Sequence, residues 1–210
     1  YANHRIQIFD PEGNSITKFG EGGEGDGQFH KASAMSIDSE GNIYVADQFN
    51  YRVQKFTNEG KFIKAWGTEG SADGQFLHPH VPANDADGKL FVTDRDLANV
   101  QVFDDNGTFI MKWGSEGEAD GQLSKPESSI VDSMGNVYVA DYGNDRIQKF
   151  TNDGKFIKAW GSKGAADGQF RGPSGLSIDA NDNIYVTDKN NNRIQIFTND
   201  GQFIAKFGEV

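Results

Sequence analysis

One interval governs what this chain can fold into. The tetrapeptide DGQF or DGQL begins at Asp26, Asp73, Asp120 and Asp167, 47 residues apart each time, with no insertion or deletion between. The same interval returns IYVAD, LFVTD, VYVAD and IYVTD, ending at Asp47, Asp94, Asp141 and Asp188, and an aromatic residue before glycine at Phe19, Trp66, Trp113, Trp160 and Phe207. A period of roughly 20–50 residues is the mark of supersecondary units that bury a shared core by stacking. Inside one unit, Ala34 to Gly67, four apolar runs of four to six residues are separated by turns holding Gly, Asn, Asp or Glu. Runs that short, between turn signals, suit strands and are too brief for helices. The spacing therefore predicts an all-β protein with one four-stranded propeller blade per 47-residue repeat, and no helix. Each blade packs between two others, so aromatics such as Phe56, Phe62 and Trp66 fill its wide outer part, and Ala34, Ser36 and Ala46 belong nearer the axis.

The divisions follow from the count. Residues 1–210 form a single propeller region: an outer half-blade at 1–20, then complete repeats at 21–67, 68–114, 115–161 and 162–208. Outer hairpins begin near Arg5, Arg52, Val100, Arg146 and Arg193, whereas inner hairpins number only four. Four and a half blades are present, and the chain opens in mid-motif at Tyr1. Three readings of that start are open: a piece of a six-bladed ring, a natural arc completed by another chain, or a ring of about five blades with one defective. In either of the first two, the apolar end faces call for further blades of the same chain or for another copy.

Composition narrows the partners. The chain is 36% hydrophobic and 12% aromatic, the balance of a folded protein, and carries a formal charge of −11. A nucleic acid backbone is repelled on average, and no Lys/Arg run makes a local exception. No apolar run reaches the ~18 residues of a membrane helix. With no Cys, disulfides, thiolate nucleophiles and Cys-based metal sites are excluded together. The compartment stays open, with the cell surface or exterior favoured slightly over the cytoplasm.

The segments NHRIQIF, GNIYVAD, DGKFIKAWG and DGQF resemble the NHL repeat over essentially the whole chain. That resemblance implies a propeller of six blades when complete, with the innermost strand of each blade lining a central channel. It implies no single function.

Where repeats share a residue it mostly builds scaffold, so departures are the better candidates for function. The loops entering the innermost strands read HKASAMSID, LHPHVPAND, SKPESSIVD and RGPSGLSID, which places Ser33, His80, Glu127 and Ser174 at one equivalent position. Repeat 2 adds Pro82 and Asn84, and repeat 3 adds Ser128 and Ser129, where the other repeats mix small and apolar residues. His80, Glu127, Asn84 and Ser128 are thus expected on one stretch of the channel rim, to bind a metal, a sugar or a polar peptide end; the plain alternative is a surface imidazole beside a frayed inner strand. Asp47, Asp141 and Asp188 each have an Arg five residues on, a scaffold latch, but repeat 2 has Asn99 there and Arg95 directly after Asp94. Arg95 either inherits the pairing or faces the channel to hold an anion. Phe49, Arg95, Tyr142 and Lys189 follow the second strand as candidate rim contacts. The turns at Asp38, Asp85 and Asp179 lack the spacing of an EF-hand loop and read as Asx-type hairpin turns.

No nucleophile elbow, phosphate loop or zinc-protease helix occurs, and the histidines are His4, His30, His78 and His80. Within repeat 2, GQFLHPH and KLFVTDR resemble the peptidyl-hydroxyglycine α-amidating lyases. That resemblance implies a zinc ligand at His80 and an active-site arginine at Arg95. It puts the family's tyrosine on Phe49, which has no hydroxyl, and its further ligand positions on Ser33, Glu127 and Ser174. The favoured expectation is a non-catalytic module that holds a protein, peptide or glycan, with no cofactor expected. The alternative is a metal-dependent lyase-like enzyme using zinc, or less readily calcium.

Overall fold

A computed structural model describes residues 3–208 of the chain. Tyr1, Ala2, Glu209 and Val210, the ends of the sequence-based divisions, lie outside the described residues. Each repeat forms an antiparallel four-stranded sheet whose strands pair in sequence order. In repeat 1 these are Ala32–Ile37, Ile43–Asp47, Arg52–Phe56 and Phe62–Trp66. Repeat 2 follows with Pro79–Asn84, Leu90–Asp94, Asn99–Phe103 and Phe109–Trp113. Repeat 3 has Ser128–Val131, Val137–Asp141, Arg146–Phe150 and Phe156–Trp160; repeat 4 has Pro173–Ile178, Ile184–Asp188, Arg193–Phe197 and Phe203–Phe207. Ahead of them, Ile6–Phe9 and Ser15–Phe19 pair as a two-stranded sheet. The four sheets take their places in a propeller ring, and the protein is all-β.

The hairpin turns show how sequence sets register. Asp38 accepts the backbone N–H groups of Glu40 and Asn42 at 3.0 and 2.8 Å, and Gly41 takes φ +84° to turn the chain. Asp132 does the same for Met134 and Asn136, and Asp179 for Asn181 and Asn183. A side-chain oxygen that bonds its own backbone two residues on is the Asx turn, so these carboxylates are engaged by their own loops. One expectation needs correction: helix is not wholly absent. Short 3-10 turns at Gln48–Asn50, Tyr142–Asn144 and Lys189–Asn191 each end on a left-handed residue, Tyr51, Asp145 or Asn192. They reverse the chain between the second and third strands within a few residues.

The second strands Ile43–Asp47, Leu90–Asp94 and Val137–Asp141 are buried at every position, because sheets cover both of their faces. Phe56, Phe103, Phe150 and Phe197 are buried, and the rings of Trp66 and Trp160, each at the end of a repeat's last strand, lie 6.1 and 6.2 Å from Phe103 and Phe197 on the third strand of the following repeat. Nearer the axis the links are polar. Ser36 Oγ donates to Asn84 Oδ1 at 2.6 Å, Thr93 Oγ1 to Ser129 Oγ at 3.1 Å, and Ser128 Oγ accepts the Leu176 N–H at 3.4 Å. These bonds tie the inner strands of successive repeats together, the Thr93 bond running from the second strand of repeat 2 to the innermost strand of repeat 3.

The innermost strand of repeat 2 is paired, not frayed. Asn84, Ala83 and Pro82 face Leu90, Phe91 and Val92, with a bulge before Pro79 meets Asp94. Pro82 is tolerated because this is an edge strand, where a missing N–H need break no ladder bond.

Candidate functional site

The site grows out of a latch that three repeats possess and one lacks. In repeat 1 the fully buried Asp47 carboxylate accepts the His30 N–H at 2.7 Å through one oxygen. Its other oxygen takes Asn50, Arg52 and Gln54 at 2.8, 2.9 and 3.0 Å. Arg52 then reaches the carbonyls of Gly25 and Gln28, which fixes the DGQF turn. Asp141 with Arg146, and Asp188 with Arg193, repeat the pairing at 2.8 Å. In repeat 2 Asp94 is equally buried, but its carboxylate is met by backbone N–H groups of Leu77, His78, Asp96 and Leu97. Asn99 is too short to stand in for the arginine, and its Oδ1 is buried without a partner.

Arg95, which stands where the other repeats have Gln48, Tyr142 and Lys189, reaches toward the next blade. Its Nε donates to Glu127 Oε1 at 3.0 Å, and its Nη1 lies 3.8 Å from Asp96 Oδ1. The other oxygen of Glu127 lies 3.5 Å from His80 Nε2. Asp96 Oδ2 lies 3.2 Å from His78 Nδ1, and the His78 and His80 rings stack at 5.8 Å with a 28° tilt. The five side chains close a circuit: His80, Glu127, Arg95, Asp96, His78 and back to His80. Burial pushes the His80 pKa below its ordinary 6.5; the Glu127 carboxylate pulls the other way, while His78 and Arg95 reinforce the depression. His80 is therefore neutral at pH 7, and its Nδ1 is buried with no hydrogen-bond partner.

A file of rings runs from this circuit across the preceding blades. Phe49 meets His78 edge-on at 6.4 Å and His30 at 5.1 Å, and His30 meets His4 at 6.4 Å. All four histidines of the chain stand in this one line. Phe49 remains 44% exposed, with Lys31 Nζ 4.5 Å above its ring. Beside Phe49 opens a cavity of about 410 Å³ lined by Glu24, Tyr51, Arg52, Thr68 and Glu69. A roomier cavity of about 660 Å³ lies at the junction of the half-blade and repeat 1, between Arg5, Lys18 and Gln28. Arg5, Lys18, Glu21 and Asp26 line it, but it holds none of the departures from the repeat that meet in the circuit.

The structure brings together His80, Glu127 and Arg95 and adds Phe49 to their edge. Asn84 stands apart, at the far end of the strand Pro79–Asn84, bonded to Ser36, with its Nδ2 buried and unpartnered. Ser128 follows Glu127 directly, yet it is buried against repeat 4, since successive strand residues point to opposite faces. Tyr142 and Lys189 form a separate pair between repeats 3 and 4, with Lys189 Nζ 5.8 Å from the Tyr142 ring and Asn190 Nδ2 3.4 Å from its hydroxyl. Sequence reasoning did not single out His30, His78 and Asp96. The same signal could have found them: His78 stands where the other repeats have Lys31, Lys125 and Gly172, and Asp96 where they have Phe49, Gly143 and Asn190.

As a metal centre the donors fall short. Among the described residues no group of three or more His, Cys, Asp or Glu is arranged to hold a metal ion. His80 and Glu127 supply two donors, whereas zinc sites use three or four protein ligands. The opposite face differs sharply. Its nine hairpin turns, from 10–14 to 198–202, hold 14 Asp and Glu against 3 Lys, a balance equal to the whole chain's −11.

Comparison with known proteins agrees with this architecture. Residues 170–197 match the family model described as the NHL repeat, and residues 83–160 match one described as a 6-bladed beta-propeller. The chain carries NHL-type propeller repeats. Among solved structures it is similar to virginiamycin B lyase from Staphylococcus aureus, at 16% identity and TM-score 0.69, over 98% of this chain and 63% of that one. A streptogramin B lyase aligns at 16% identity and TM-score 0.73, over 98% and 62%. A protein of unknown function from Bacteroides caccae aligns at 10% identity and TM-score 0.66, over 98% and 69%. The chain thus spans less than two thirds of the length of these two lyases, and at such identity the likeness is one of fold. The search of curated proteins gave no match.

Proposed function

We propose that the chain is a non-catalytic binding module that takes a protein segment, a peptide or a glycan on the rim formed by His78, His80, Arg95, Asp96, Glu127 and Phe49. The observation that carries this reading is the bond of Arg95 to Glu127 across two blades, made where repeat 2 gives up its latch. Repeat 2 thus lacks the latch arginine and carries instead a half-exposed arginine one residue after the buried Asp94. The circuit offers preorganised donors and acceptors, and exposed Phe49 beside it offers a flat apolar ring, the pairing of a few placed polar groups with an apolar wall that small-ligand sites use. Both Glu127 oxygens and the Arg95 Nε are already engaged, which suits recognition better than proton transfer.

The test is a peptide and glycan array read with the purified chain, followed by titration of each hit against Glu127→Ala and Arg95→Ala. A charge-assisted hydrogen bond contributes about 1.5–3 kcal/mol, so each variant should weaken a genuine rim ligand by about 10- to 100-fold. Hits that bind both variants with unchanged affinity would remove the rim from consideration.

One observation favours a second reading, a lyase-like enzyme. His80 is neutral with an unpartnered Nδ1 and so is able to accept a proton. One of the similar solved structures is a catalytically inactive H270A virginiamycin B lyase from Staphylococcus aureus, a protein in which substitution of a histidine accompanies loss of activity. Stoichiometric zinc in the purified chain, lost in His80→Ala, would favour the enzyme over the binder.

A further inference from the structure

Repeat 1 departs from the others at a place the circuit does not use. Phe49 stands where repeats 2, 3 and 4 have Asp96, Gly143 and Asn190, and Tyr51 where they have Ala98, Asp145 and Asn192. Tyr51 takes φ +52°. Asn and Asp adopt that left-handed conformation far more readily than a bulky ring does, so the turn itself gives no reason for a tyrosine. Both rings line the cavity of about 410 Å³ beside Phe49, and no other repeat brings two aromatic residues to this loop.

The charges around the cavity are unevenly spent. Arg52 lines it, but its Nε is bonded to Asp47 and its Nη2 to the carbonyls of Gly25 and Gln28. Glu24, from the loop before repeat 1, and Glu69, from the loop after it, line it as well, and both are exposed. Among the described residues neither carboxylate has a hydrogen bond or an ion pair. The circuit is the opposite case, since Asp96 and Glu127 are held in internal pairs with His78 and Arg95.

The Phe49 ring already shows what it attracts. Lys31 Nζ lies 4.5 Å from the ring centroid, within the range of a cation–π contact, and Lys31 does not line the cavity. The negative face of an aromatic ring and an unpaired carboxylate favour the same kind of guest. An anion would meet Glu24 and Glu69, and a wholly apolar guest would strip water from them without replacing it. The chain's charge of −11 draws cations toward it in general.

We propose that the cavity walled by Phe49, Tyr51, Glu24 and Glu69 is a binding site for an organic cation, the ammonium group of a lysine side chain on a partner or of a free amine. The ring of Phe49 and that of Tyr51 pack the stem, and the two carboxylates hold the charge. The site adjoins the circuit across Phe49 but stands whether or not the circuit takes a ligand of its own.

The test records amide NMR spectra of the folded chain during titration with the peptide Gly-Ser-Lys-Ser-Gly, with the same peptide acetylated on its lysine, and with butylammonium. The lysine peptide should shift Tyr51, Thr68 and Glu69, and the acetylated peptide should not. Phe49→Leu, which keeps the apolar bulk and loses the ring, should weaken binding about two- to fivefold. Because Phe49 also borders the circuit, the decision rests on Glu24→Gln combined with Glu69→Gln, which should weaken binding about three- to tenfold at low salt. Butylammonium that binds as well as the peptide assigns the site to a free amine; weaker binding assigns it to a side chain. Unchanged affinity in the Glu24→Gln, Glu69→Gln chain would overturn the proposal, as would equal binding of the acetylated peptide or the absence of any shift with both cations. Shifts confined to His78, His80 and Glu127 would overturn it too, since the cation would then sit in the circuit.

Discussion

Repeat 2 and repeat 3 meet at one junction but treat their strand-end aspartates in opposite ways. In repeat 3 Arg146 closes on Asp141 at 2.8 Å and reaches the carbonyls of Ala119 and Gln122, so one guanidinium holds a strand end and a turn together. In repeat 2 Asp94 has no arginine, and four backbone N–H groups meet its charge instead. Arg95 spends its Nε on Glu127 of the neighbouring blade. The contrast teaches that a buried carboxylate tolerates losing its cation when backbone donors replace it. The arginine that does bond across the blades, Arg95, stands at another position, where the other repeats have Gln48, Tyr142 and Lys189.

The sharpest way to break this comparison is to remove each arginine. Arg146→Ala strips a buried carboxylate of its partner and should cost about 3 kcal/mol in denaturant unfolding. Arg95→Ala should cost less than about 1 kcal/mol, as expected for a half-exposed pair. Equal losses would mean that Arg95 is scaffold after all. Next comes the junction that both repeats share. Gly154→Ala forces a Cβ against the Trp113 ring from a backbone at φ +79° and should cost about 1–3 kcal/mol, with a shift in tryptophan emission.

Acidity sharpens the contrast. His80 has its pKa depressed in the folded protein, so the unfolded chain binds more protons, and stability rises with pH up to about 6.5. Stability should therefore fall as pH drops below about 6.5, and His80→Gln should remove that part of the dependence. Asp179 behaves in the acid range: hydrogen bonds from the Asn183 side chain and backbone lower its pKa below 3.8. Its contribution is present above that value and is lost only as pH falls through the lowered one. A pH profile for His80→Gln that overlays the unmodified protein between 7 and about 5 would show that the circuit does not bury its imidazole. The smallest effect is expected from repair. Asn99→Arg supplies the missing latch to Asp94 and should stabilise the chain by no more than about 1 kcal/mol while leaving the Arg95–Glu127 pair in place.

Much of the fold was legible because it is written four times in full and once more by half. The strands at Ile43–Asp47, Val137–Asp141 and Ile184–Asp188 follow from apolar runs bounded by turn residues, and the latch from an aspartate and arginine five apart. The short 3-10 turns were not legible, since QFNY and KNNN carry no helix period within so few residues. At the site, departure from the repeat pointed to His80, Glu127 and Arg95, but it also grouped Asn84 and Ser128 with them. Asn84 is four positions along the strand from His80, about 13 Å at strand rise, which sequence alignment between repeats does not register. Ser128 was misplaced by the pleat. His78 and Asp96 were legible as departures from the other repeats, but the circuit they close was not, because it depends on how two loops fold over one another: the Arg95 N–H bonds the His78 carbonyl at 3.1 Å.

The central claim is that repeats 2 and 3 gave up shared residues to build a ligand site. Its most direct test rewrites the rim with the residues that repeat 4 uses there: His80→Ser, Glu127→Ser and Arg95→Lys in one chain. Peptide and glycan arrays are then read side by side for the rewritten and the original protein, with circular dichroism confirming that both are folded. The account predicts that the rewritten protein keeps its β-sheet spectrum and loses the ligands the original binds. A rewritten protein that folds and binds the same ligands with the same affinity would contradict it.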